Sequence, residues 1–298
     1  MKYKETPVQN LTFIALMAGI NVIFCLLCKF VPFSTLIFTL LLPFVSTLVM
    51  VFCKGRYTLI YIFATLLLTL LISPQDALFY ILAPLLSGII FGFCYKHNFN
   101  YIWTIVFASL STIIVYYITA PLIELIFVTP IFESFKKILL LNDEQAKNYY
   151  PSFVLITSIF QTLLSFIIIN NDLAKYMKYK SNQTVPYNIL SILSISTGTI
   201  SIGLLFLYYP LALVFMFISL FFSIYPFIKI YRNKKGWLII FNLILSIFVF
   251  AFLYPLINKE SAICLISIFP MIISIISLFI KNSVEQDSYL FDKYEANE

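Results

Sequence analysis

Residues 181–228 read SNQTVPYNILSILSISTGTISIGLLFLYYPLALVFMFISLFFSIYPFI, 48 residues without one Asp, Glu, Lys or Arg. As a helix rising 1.5 Å per residue the stretch would be about 72 Å long, whereas a hydrocarbon core is about 30 Å thick. It therefore holds two membrane spans, and Tyr208-Tyr209-Pro210 supplies an interfacial turn near its middle. Outward from this stretch, the other uncharged runs are 6–28, 30–53, 57–75, 77–95, 98–123, 148–171, 236–258 and 261–280. Charges are costly at the bilayer centre, so each of these eight runs is one span. Eight plus two predicts an all-α, polytopic membrane protein of about ten transmembrane helices.

Composition agrees. Of 298 residues 61% are hydrophobic and only 11% charged, against roughly 25% charged in soluble domains. An aromatic share of 18% excludes a disordered chain. The apolar runs are continuous rather than alternating, which excludes an outer-membrane barrel. The seven glycines, at 19, 55, 88, 92, 198, 203 and 236, form no Gly-rich phosphate loop. A lone histidine, His97, leaves no catalytic histidine pair. No cofactor is expected.

Orientation follows from Lys and Arg in the connections. Fourteen of the 19 basic residues fall on the side of the N-terminus, Lys54, Lys96, the 175–180 linker, the 229–235 loop and the C-terminus. Five (Lys29, Lys136, Lys137, Lys147 and Lys259) fall on the other. Both termini are therefore expected in the cytoplasm of a bacterial cell, with the first span retained, because no small-residue cleavage site follows it. The net charge of +6 is what cytoplasmic loops beside anionic lipid produce, and it does not point to nucleic acid. The chain divides into an N-terminus (1–10), a six-span domain (11–170), a basic linker (171–186), a four-span region (187–280) and a cytoplasmic tail (281–298). Between the fifth and sixth spans, Ile131, Phe132, Phe135, Ile138 and Leu139 recur at helical spacing around Glu133, Lys136 and Lys137. This predicts an amphipathic helix, packed at the interface or serving as a lid over an outward-facing cavity.

Chemistry-bearing residues are few. Ala15 and Gly19, and likewise Gly88 and Gly92, are small residues four apart, which let helix backbones approach closely. Each pair either packs within the chain or docks a partner helix. Cys25 and Cys28 have redox or half-zinc spacing, but no further ligand set accompanies them, and small core cysteines are the expected reading. No metal site is expected. Asn21, Gln161 and Asn242 lie inside spans as candidate interhelical hydrogen-bonding groups. Glu124 lies about 35 Å along the helix from Tyr101, an interfacial position or a cavity-facing ligand. Asn21, Lys29, Asp76, Glu124 and Gln161 are the candidates to face a substrate cavity. Ion-coupled pumps and intramembrane hydrolases need carboxylate pairs, a Ser–Lys pair or a His-Glu zinc set, and none is visible.

The first span, Leu11-Thr-Phe-Ile-Ala-Leu-Met-Ala-Gly-Ile-Asn-Val, is followed by a loop with Pro32, a second span with Pro43, and Lys54-Gly55-Arg56. This opening resembles the substrate-binding S-components of energy-coupling-factor transporters. The resemblance implies that an A-x-x-x-A-type motif, here Ala15 and Gly19, docks onto a membrane coupling subunit served by separate ATPases. Glycine stands where the second alanine is usual. The six-span layout of 11–170 also fits that family, and the four further spans do not. The whole chain is more similar to the YybS-like bacterial membrane proteins, through the segment around Glu133-Ser-Phe-Lys, the Pro151-anchored sixth span and the basic linker. No activity carries over from that family. The expected function is non-enzymatic: uptake or binding of a small, vitamin-like solute, energised by a separate ATPase module. The alternative is a membrane scaffold or envelope-associated accessory protein that kept the fold. Membrane lipid is an expected partner.

Overall fold

The structure, a computed structural model, describes residues 4–30, 34–127, 130–176, 186–233, 235–256 and 261–280. Among them there is no strand. The loop at 31–33, the basic linker beyond Tyr176 and the tail from Lys281, all given roles above, lie outside the described residues. The helices are α1 (Pro7–Phe30), α2 (Ser34–Phe52), α3 (Gly55–Ile72), the single turn α4 (Pro74–Asp76), α5 (Leu82–Lys96) and α6 (Tyr101–Phe127). Then come α7 (Ile131–Leu139), α8 (Asp143–Tyr176), α9 (Tyr187–Leu204), α10 (Tyr209–Arg232), α11 (Trp237–Leu253) and α12 (Ile268–Leu278). A π-helical turn, Ala77–Ile81, joins α4 to α5, and 3-10 segments follow α11 and precede α12.

Seven helices are long and apolar enough to cross a bilayer: Pro7–Phe30, Gly55–Ile72, Tyr101–Phe127, Asp143–Asn171, Tyr187–Leu204, Tyr209–Tyr231 and Ser261–Leu278. Three shorter apolar helices, Ile37–Phe52, Leu82–Lys96 and Trp237–Leu253, fill the remaining uncharged runs. The chain is thus a helical, multi-pass membrane protein. The 48-residue run breaks at 205–208, where Leu207 and Tyr208 both donate back to the Leu204 carbonyl, and Pro210 opens α10. Proline suits that place because the first helical turn has no use for its missing N–H.

The helices form two compact units, Met1–Leu141 with Val154–Gln183, and Asn142–Phe153 with Thr184–Glu298. In the first, α5 lies on α2 at backbone distance. A Cβ at Gly88 would strike the Pro43 carbonyl and the Ser46 side chain, and one at Gly92 would strike Met50 and Thr47. Thr47 donates to the carbonyls of Gly88 (2.9 Å) and Pro43 (2.7 Å), fixing that contact. Asn10, fully buried, pins the start of α1: its amide donates to the Lys4 and Thr6 carbonyls and accepts from the Lys54 N–H.

The second unit is built on α9, whose Ser191, Ser194, Gly198 and Ser201 recur every three or four residues on a buried stripe. Ser194 donates to the Ser219 carbonyl at 3.0 Å, and Ser219 donates back to the Ser194 carbonyl at 2.8 Å. Ser201 donates to the Ala212 carbonyl at 2.8 Å. Small residues bring these backbones close enough for hydroxyl-to-carbonyl bonds, the usual glue between helices in lipid.

Candidate functional site

The first unit's candidate site grows from Ser73. Its side chain accepts from the Asp76 N–H, and its hydroxyl donates to the Asp76 carboxylate at 2.6 Å. With Pro74 at the first position, Ser73 caps the start of α4. The following residues do not settle into an α-helix at once. The Leu82 N–H reaches back five residues to the Ala77 carbonyl, so Ala77–Ile81 winds as a π turn. Such a turn carries an extra residue and recurs at functional sites. This one packs against α1, α2, α3, α5 and α6. It carries Tyr80, within electrostatic reach of Asp76, Cys28 and Tyr116.

Tyr116, about 22 Å along α6 from Tyr101, donates its phenolic hydrogen to the Gln161 carbonyl oxygen on α8 at 2.8 Å. About two turns back along α6 a second contact joins α6 to α8, with the Ser109 and Thr162 hydroxyls 2.6 Å apart. Along these two helices further polar atoms are left open. The Gln161 amide nitrogen and the hydroxyls of Thr119, Ser158 and Ser165 are buried without a hydrogen-bond partner. Each open valence in a low-dielectric interior is costly unless something polar meets it.

Lys29 and Asp76 lie at one end of the unit, both within electrostatic reach of Cys25, as is Cys28. Of these residues Tyr116 and Gln161 are joined by a hydrogen bond; Lys29, Asp76 and Tyr80 are related to their neighbours by electrostatic reach. The other two candidates serve elsewhere. Asn21, fully buried, donates to the Tyr61 hydroxyl at 2.6 Å, which in turn meets Ser46 at 3.1 Å, tying α1, α3 and α2 together. Its carbonyl oxygen has no partner. Glu124, in the last turn of α6, accepts from the Phe132 N–H at 2.6 Å and so caps the first turn of the amphipathic helix α7. This places a carboxylate at the positive end of a helix. In α7 itself Phe135 is buried, Ile138 is exposed, and Lys136 pairs with Glu133 at 3.2 Å.

Ala15 is exposed, and a Cβ at Gly19 would meet nothing within 4 Å, so this pair faces away from the described helices of its own unit. Between α5 and α6 runs an open apolar groove of about 510 Å³, lined by Ile90, Phe93, Phe99, Phe107, Leu110 and Ile114 among others. Its chemistry suits hydrocarbon. Cys25, Cys53, Cys94 and Cys264 are buried and Cys28 is half-buried, and none of the five is in a disulfide. Among the described residues no three His, Cys, Asp or Glu side chains gather to hold a metal.

Tyr80, Tyr116 and the buried Lys229 of the second unit were not singled out from sequence. A signal existed for Tyr116: tyrosines in spans favour the interfaces, and this one lies deep in a long apolar helix. Lys229 gave none, because it opens a basic loop in the linear sequence.

No protein-family model matches the chain, and neither the search of curated proteins nor the search of solved structures found a similar protein.

Proposed function

We propose that this is a ten-span protein of the bacterial cytoplasmic membrane, with both termini cytoplasmic, whose first unit binds a small organic solute for uptake. Length supports the ten spans. Segments of 3, 5 and 15 residues run head to tail from Pro74 to Lys96, about 34 Å of helix at 1.5 Å per residue. Segments of 17 and 3 residues do the same from Trp237 to Leu256, and α2 has 19.

The observation that carries solute binding is the polar seam of the first unit. Asp76, Tyr80, Tyr116 and Gln161 offer a carboxylate, two phenols and an amide, and buried valences beside them stay open. A seam meant only for packing would close on itself, as Thr47 and Ser194 do elsewhere. Such a set recognises an uncharged or weakly basic solute rich in hydrogen-bonding groups. The open Ala15–Gly19 face supports docking of a coupling subunit, with energy from ATPases outside this chain. Denaturing the purified protein and analysing the extract by mass spectrometry tests the reading. A stoichiometric small molecule is expected, and co-purification of an ATPase pair would tie it to uptake. A ligand-free chain that instead co-purifies with envelope enzymes would establish the scaffold alternative.

A further inference from the structure

The second unit contains a buried cation that no carboxylate among the described residues balances. Lys229, near the end of α10, is only 4% exposed. One of its N–H groups donates at 2.9 Å to the Ser277 carbonyl, in the last turn of α12, an oxygen that also accepts from the Ile280 N–H at 3.2 Å. An ammonium has three donors, and among the described residues no carboxylate pairs with this one. The Tyr187 ring lies 5.8 Å from Nζ. Tyr187 is the first residue of α9, and Pro186 before it supplies no side-chain cap to the first turn.

One turn further along α9, Ser191 is fully buried and its hydroxyl has no partner. The same holds for Ser274 and Ser277 on α12. Helices α9, α10 and α12 pack on one another. A buried cation, the positive end of a helix and three unpartnered buried hydroxyls therefore share one end of one three-helix packing. Backbone amides at a helix start favour an anion, and a buried lysine persists where a counter-charge meets it.

We propose that this end of the second unit is an oxyanion site for a phosphate or carboxylate group. The oxyanion accepts from the remaining Lys229 N–H groups, from the Ser191 hydroxyl and from first-turn amides of α9. The site is independent of the solute reading of the first unit. Two sources carry this chemistry: the headgroup of an anionic lipid, or a free anion.

The test is thermal unfolding of the purified full chain in neutral detergent. It is titrated with inorganic phosphate, with phosphatidylglycerol in mixed micelles, and with phosphatidylcholine in the same way. A saturable rise in Tm with phosphate assigns a free-anion site, and one with phosphatidylglycerol but not phosphate assigns a lipid headgroup. Lys229→Gln is expected to weaken the response about tenfold, the loss of one charged hydrogen-bonding partner, while Lys229→Arg keeps most of it. Should Lys229→Gln fail to fold, Ser191→Ala, which leaves the lysine in place, is expected to weaken it several-fold. No rise with either anion beyond that with phosphatidylcholine overturns the proposal. So does an equal rise in wild type and in the folded variant.

Discussion

A side-chain amide in lipid has no water to bond, so it reaches for a neighbouring helix. Asn21 does this through Tyr61, Gln161 through Tyr116, and Asn242 through the Phe269 carbonyl at 3.2 Å. Asn21→Leu leaves the Tyr61 hydroxyl with Ser46 and removes the bond that joins α1 to α3. A loss of about 1–2 kcal/mol is expected, read as a lower Tm in detergent. A Tm equal to wild type would show that the bond contributes nothing. Glu124→Ala removes the carboxylate at the start of α7 and is expected to cost about 1 kcal/mol locally. Faster proteolysis within 131–139 with an unchanged global Tm is the corresponding readout. These amides were legible in the sequence because a polar residue inside an apolar run must be satisfied. Lys229 was not, since linear order cannot tell a loop lysine from one that folds back beneath α12.

Two pairs of small residues with the same spacing behave differently once their neighbours are known. Gly88→Ala puts a methyl group against the Pro43 backbone, which cannot move aside as a side chain would. Destabilisation of about 1–3 kcal/mol is expected, with poorer extraction and a lower Tm. Gly19→Leu projects into open space, so insertion, size-exclusion profile and Tm are expected to stay at wild-type values. Any partner that docks there is expected to be lost in a pull-down. A destabilised Gly19→Leu chain would mean that this face packs internally. Spacing alone marked both pairs; only the facing backbone separates them. The break after Leu204 was readable from run length and Pro210, whereas the π turn was not. The run 77–95 is apolar throughout, and one extra residue per turn leaves no trace in such a pattern.

At the scale of the molecule, uncharged runs divided by charges gave the helical class and nearly every helix position, because the cost of charge in hydrocarbon is paid residue by residue. The polar seam of the first unit depends on which faces of α6 and α8 meet, and that is a tertiary property. Orientation is open to direct measurement. In a chain whose native cysteines are replaced, a cysteine at Gln145 is expected to react with an impermeant thiol reagent on intact cells, and one at Gly236 is not. The reverse pattern would invert the topology. The most direct test of the central claim compares small molecules released by denaturing purified wild type with those from the Tyr116→Phe/Gln161→Leu double variant. Wild type is expected to release one small polar solute in near-stoichiometric amount, and the folded double variant to release about tenfold less or none. Equal release from both, or no solute from wild type purified without washing in excess detergent, would contradict a solute site at the α6–α8 seam.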